Sequence, residues 1–102
     1  LATRGVDAEV VDLRSLRPWD HDLVLDSVKR TSRALVLHEA PLTGGFGAEV
    51  AAVIGTEAFG WLDAPVARVG GLDTPIPFAP PLEAIWSAES RVLPGLRDLL
   101  AF

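Results

Sequence analysis

Two adjoining features carry residue types capable of chemistry: the pair His38-Glu39, and the turn Gly44-Gly45-Phe46-Gly47 that follows it. An imidazole beside a carboxylate can act as a general base, although a histidine at a strand end more often satisfies backbone groups. His38-Glu39 also begins like the zinc-binding pattern H-E-x-x-H, but Leu42 stands where the second ligand is required and Pro41 prevents a continuous helix. With only His21 and His38, and no cysteine, no shell of histidine and thiolate ligands can form. The run Gly45-Phe46-Gly47-Ala48-Glu49-Val50 starts like the dinucleotide pattern G-x-G-x-x-G, yet Val50 replaces the last glycine. Glu39 and Glu49 would oppose a pyrophosphate. Ser15, Ser27, Ser32, Ser87 and Ser90 all lack the flanking glycines of a nucleophile elbow. The residues therefore predict no catalytic, cofactor-binding or metal-binding side chain, and a turn that sets a helix against a sheet.

The elements around that turn alternate between strand and helix. Residues 1–5 read as the end of a helix closed by Gly5. Residues 8–14 read as a strand with a β-branched centre. Asp20 is an N-cap for a helix over about 21–30, with Leu23, Val24, Ser27 and Val28 as its buried stripe. Residues 34–38 form a continuous apolar run suited to a strand buried on both faces. A helix follows over about 48–59, then an exit loop at 61–65 and a strand at 66–69 stopped by Gly70-Gly71. The proline-rich stretch 72–83 predicts a rigid unpaired arm pinned by Ile76, Phe78 and Leu82. A last helix begins near Ser90, with Pro94 in its first turn and Leu93, Leu96, Leu99 and Leu100 on one face.

This alternation predicts a single α/β domain over 1–102 with a mostly parallel sheet and right-handed crossovers. In doubly wound sheets the first strand of the unit is central. The chain opens after that position, so the strand expected between 8–14 and 34–38 is missing. The sequence is accordingly expected to be an N-terminally truncated piece of a longer polypeptide, or to have its gap filled by a second chain.

Composition excludes some functions. Nine basic residues against 14 acidic ones give a net charge of −5, which disfavours nucleic acid. Absence of cysteine is compatible with a reducing compartment, and no apolar run approaches the length of a membrane span. A cytoplasmic, bacterial protein is the expectation. Interaction chemistry remains: at least one of Trp19 and Trp86 is expected either at a subunit contact or capping the core. Asp63, Asp73, Glu83, Glu89 and the terminal carboxylate are expected to form an acidic surface for a basic partner.

Several blocks in order carry a resemblance over nearly the whole chain. They are Glu9-Val10-Val11-Asp12-Leu13-Arg14-Ser15-Leu16-Arg17-Pro18, the stretch from His38 to Glu49, Leu62-Asp63-Ala64-Pro65-Val66-Ala67-Arg68-Val69, and Asp73-Thr74-Pro75-Ile76-Pro77-Phe78. Together they resemble the C-terminal domain of the beta subunit of thiamine-diphosphate-dependent 2-oxoacid dehydrogenases, with His38-Glu39-Ala40-Pro41 closer to branched-chain than to pyruvate enzymes. The resemblance implies a three-layer α/β/α domain like that of transketolase. It implies that thiamine diphosphate and magnesium belong to the full enzyme and to parts outside these residues, so this piece alone is expected inactive. It also implies partners: an alpha subunit and a second beta subunit in a heterotetramer, and the subunit-binding domain of the dihydrolipoyl acyltransferase. By motif match Asp63 is the implied acidic contact for that basic domain, with the carboxylate of Phe102 as a second. The alternatives are a free-standing nucleotide-binding α/β module or a pyruvate dehydrogenase beta subunit.

Overall fold

The computed structural model describes residues 5–102; the helix end expected over 1–5 lies outside them except for Gly5, whose φ of +74° is left-handed. The first helix, α1, spans His21–Thr31. Asp20 caps it, accepting from Leu23 N at 3.0 Å, and Asp22 and Lys29/Arg30 sit at the ends that the helix dipole favours. Its buried residues are Val24, Leu25, Ser27 and Val28. Leu25 thus takes the place expected for Leu23, which is half exposed. The stripe is rotated because the helix packs on another helix, not squarely on a sheet.

Strand β1 (Leu35–Pro41) leads into helix α2 (Phe46–Glu57), followed by a 3₁₀ turn at Phe59–Trp61 and strand β2 (Ala67–Gly71). The strands are parallel, with Leu35 opposite Ala67 and Leu37 opposite Val69, and the register shifts before Pro41 meets Gly71. Gly70 and Gly71 therefore continue the strand that they were expected to end. They do so because neighbours crowd them: a β-carbon on Gly71 would lie 2.8 Å from the Trp86 ring.

Strand alternation sends Val36 and His38 towards α2, and Leu35 and Val69 towards Gly95 of the last helix. Helices thus cover both faces of the strand pair, as the three-layer expectation requires. The cover is uneven. The last helix lies mainly over β2, so Leu37 on β1 is 52% exposed where burial on both faces was expected. Residues 8–14 do not join the sheet, because no described strand lies beside them to supply ladder partners. Their alternation survives in packing: Val11 and Leu13 pack on the core while Val10 is exposed. Arg30 ties the segment to α1 through two bonds to Glu9, at 2.7 and 2.9 Å.

The principal core joins Val24, Leu25 and Val28 of α1 to Val50 and Ile54 of α2, closed by Trp19 and Ala58. Both Trp19 and Trp86 are buried within the chain. They serve the core and not a contact surface, and Trp86 Nε1–H is satisfied by Thr74 O at 3.1 Å.

The proline arm is shorter than expected because Pro80 and Pro81 start a helix, α3 (Pro80–Trp86), where a missing N–H costs nothing. Ile76, Phe78 and Leu82 do not pin it; all three are more than half exposed. It is held by Asp73, by Thr74 through Trp86, and by Leu72 N donating to Trp86 O. Helix α4 (Glu89–Ala101) begins earlier than expected, which places Pro94 inside it and leaves Ser90 C=O without its ladder donor. Only Leu99 of its leucines is buried, again because one edge of the sheet lies beneath the helix. The guanidinium of Arg91 donates to Gly70 O, Trp86 O and Ile85 O at 2.6, 2.8 and 3.1 Å, joining α3, α4 and β2.

Candidate functional site

The glycine turn has a packing role that its sequence concealed. The His38 ring occupies a cradle whose walls are glycines. A β-carbon on Gly45 would lie 2.8 Å from His38 Cε1, one on Gly47 2.5 Å from Nε2, and one on Gly70 2.9 Å from Cε1. Real side chains do not approach so closely, so these glycines make room for an imidazole. Gly44, at φ +73°, supplies the left-handed turn itself. His38 Nδ1–H donates to Ala40 O at 2.9 Å. A carbonyl can only accept, which puts a proton on Nδ1; Nε2 is buried and has no partner among the described residues. Glu39 points to the other face of the strand, away from this ring. No acid-base pair forms between neighbours on opposite faces.

The donors of the same turn are already used. Asp73, in the loop after β2, accepts from Thr43 N at 3.1 Å and from Thr43 Oγ at 2.5 Å, with Leu42 N also contributing. These bonds hold its carboxyl below the ordinary aspartate range: the Thr43 hydroxyl lowers it most, then the Thr43 N–H, against an opposing effect of burial, with the Leu42 N–H and Arg68 lowering it less. The crevice beyond the strand ends, where α/β proteins usually seat ligands, is thus closed by an internal anion. A diphosphate with its magnesium does not fit there, since the Asp73 carboxylate already holds the Thr43 and Leu42 N–H groups and would repel it, as would Glu49 in the first turn of α2. Among the described residues no three metal-ligating side chains converge.

An open groove of about 970 Å³ lies elsewhere. Its floor is the outer face of α2, where Ala48, Ala51, Ala52 and Gly55 recur at helical spacing and leave a shallow trough. Phe59, Asp63 and Pro65 form one wall, with Arg68 at the strand and Phe102 at the end of α4. The groove brings together the two residues singled out for partner binding, Asp63 and Phe102. Phe59 and Phe102 are both largely exposed.

Asp63 is placed from α1. Its N–H donates to Ser32 O at 2.8 Å, Arg33 Nη1 stands 4.0 Å from its carboxylate, and nearby Lys29 Nζ lies 4.5 Å over the Trp61 ring. The broad acidic surface does not assemble. Asp73 is latched to Thr43, Glu89 lines a separate pocket with Leu37 and Glu39, and of the five groups expected only Asp63 and Phe102 line the groove, beside the basic Arg68; Asp73, Glu83 and Glu89 do not. Sequence reasoning missed Arg33 and the small-residue floor of α2; the spacing of Ala48, Ala51, Ala52 and Gly55 was the available signal for the floor.

Two helix-covered parallel strands, with a glycine-lined turn between β1 and α2, define the class, and the chain belongs to the family of the transketolase C-terminal domain, whose family model matches residues 1–91. Within it the chain is similar to beta subunits of 2-oxoacid dehydrogenases. It is 56% identical over 73 residues to 2-oxoisovalerate dehydrogenase subunit beta 2 of Arabidopsis thaliana, covering 72% of this chain and 20% of that protein. It is 49% identical over 75 residues to 2-oxoisovalerate dehydrogenase subunit beta of Pseudomonas aeruginosa, covering 74% and 21%. It is 40% identical over 100 residues to pyruvate dehydrogenase E1 component subunit beta of Rickettsia felis, covering 97% and 31%. The chain therefore spans between a fifth and a third of the length of these relatives. The similarity reaches plant and bacterial proteins alike. No helix among the described residues is long and apolar enough to cross a membrane.

Proposed function

We propose that this chain is the C-terminal, assembly and docking domain of the beta subunit of a thiamine-diphosphate-dependent 2-oxoacid dehydrogenase. The whole enzyme oxidatively decarboxylates a 2-oxoacid and passes the acyl group to lipoyl on the acyltransferase. A branched-chain, 2-oxoisovalerate-type substrate is favoured by the higher identity to the 2-oxoisovalerate relatives. In this reading the chain contributes no catalytic side chain. It works with an alpha subunit and a second beta subunit in a heterotetramer, and binds the subunit-binding domain of the dihydrolipoyl acyltransferase.

The observation that carries the reading is the groove. It has Asp63 and Phe102, separated in sequence by the whole of β2, α3 and α4, along one trough floored by small residues. A trough accepts a helix, exposed aromatic rings supply apolar contact, and a carboxylate on the wall gives a basic partner its orientation. The closed crevice at Asp73 supports the same reading against a nucleotide-binding module. Titration calorimetry of the assembled enzyme with the acyltransferase's subunit-binding domain tests it. Asp63→Ala is expected to weaken binding about tenfold at low salt, equivalent to about 1.4 kcal/mol, and to flatten the salt dependence. Unchanged affinity would remove Asp63 from the site.

A further inference from the structure

Arg33 follows the C-terminus of α1 and faces the groove wall from behind. Its Nη1 lies 4.0 Å from Asp63 Oδ2, while its Nε is buried with no hydrogen-bond partner among the described residues. Those observations pull in opposite directions. Attraction to Asp63 holds the guanidinium in place, but the geometry is too long for a hydrogen bond, and a buried N–H without an acceptor is unfavourable. The side chain is only partly covered, so an outward rotamer would return that N–H to water. The Asp63 backbone does not depend on Arg33, because Ser32 O holds its N–H.

We propose that Arg33 is a displaceable counter-ion of Asp63: it neutralises the carboxylate in the free protein and gives way when a partner's cation arrives. This rests on the docking reading given above. The incoming cation and the Arg33 guanidinium would repel each other across one carboxylate, and release of Arg33 costs little because its unsatisfied N–H regains a partner in water. The other cations of this region, Arg68 across the groove and Lys29 on the Trp61 ring, have contacts of their own: Arg68 Nη1 donates to Leu42 O at 3.3 Å, and Lys29 lies over the ring. Arg33 therefore sets how strongly Asp63 attracts a partner.

The test is a double-substitution cycle in the assembled enzyme, with affinity for the acyltransferase's subunit-binding domain measured across salt concentrations. Arg33→Gln and the apolar Arg33→Met, which keeps the packed stem, are both expected to tighten binding about three- to tenfold at low salt. The gain should shrink as salt screens it, and should vanish in an Asp63→Ala background. Arg33→Lys, which keeps the charge, should stay near the parent affinity. If Asp63→Ala weakens binding but neither neutral variant tightens it, Arg33 is not a competing counter-ion and the docking site stands. If Asp63→Ala changes nothing, the docking reading fails, and this inference with it.

Discussion

The stretch His38–Glu49 and the stretch Ala58–Pro65 make opposite use of their residues. The first carries an imidazole, two carboxylates and three glycines, the ingredients of an active site, and spends the imidazole and the glycines internally. Its glycines house the His38 ring and its N–H groups bind Asp73. The second is a plain sequence with one acid, yet it leaves Phe59, Trp61 and Asp63 exposed beside an open trough. A group's chemistry is available only if its own chain has not already satisfied it. Conspicuous residue types can therefore mark packing, and unremarkable ones a surface.

Substitutions should separate the two regions. Gly47→Ala is expected to have the largest effect, a loss of about 1–3 kcal/mol from overpacking against His38 and Val36. For a chain of this size that corresponds to a fall in Tm of roughly 4–8 °C per kcal/mol in thermal unfolding. Pairing it with His38→Ala should recover part of the loss; strict additivity would show that the ring is not what the glycine accommodates. Asp63→Ala should do the reverse, leaving stability within about 0.5 kcal/mol of the parent while costing partner affinity as described.

The Thr43–Asp73 latch gives a smaller effect, visible in pH. Asp73 is held below its ordinary range, so its contribution to stability is fully present above the unfolded aspartate value of about 4 and is lost as pH falls through the lower folded value. Thr43→Val should flatten that acid limb in pH-dependent unfolding, lowering stability at neutral pH and converging on the parent at low pH, where Asp73 is protonated in both. Smallest of all, Gly60→Ala in the second stretch should be nearly silent, because a β-carbon there meets nothing within 4 Å. A marked loss from Gly60→Ala would erase the contrast between the regions.

Local signals in the sequence were dependable where the cause was local. The Asp20 cap, the apolar run of β1 and the leucine spacing of α4 each located an element, since capping and periodicity act within a few residues. What failed depended on neighbours distant in sequence. Residues 8–14 have the side-chain pattern of a strand, but a ladder needs a second backbone. Gly70 and Gly71 look like a stop, yet they remain in β2 because Leu42 and Trp86 close over them. Pro80-Pro81 looked like extended arm because the helix-starting role of proline becomes visible only when the following turn packs. For the proposed site, Asp63 and Phe102 were nominated by motif order. Their shared groove was not, since it depends on where α4 ends relative to α2.

The Arg91 clamp carries a consequence for how the C-terminal third behaves as ionic conditions change. Its partners are carbonyl dipoles of Gly70, Ile85 and Trp86, whereas Arg30 on α1 is held by the carboxylates of Glu9 and Asp26. Salt screens exposed charge pairs far more than short, directed hydrogen bonds. Raising ionic strength should therefore loosen the attachment of residues 8–14 to α1 first, while the end of β2, α3 and the start of α4 stay together as one piece. Lysine, with a single ammonium in place of a planar fork, could not reach all three carbonyls in this way. That corner of the molecule is fastened by the shape of a side chain more than by its charge.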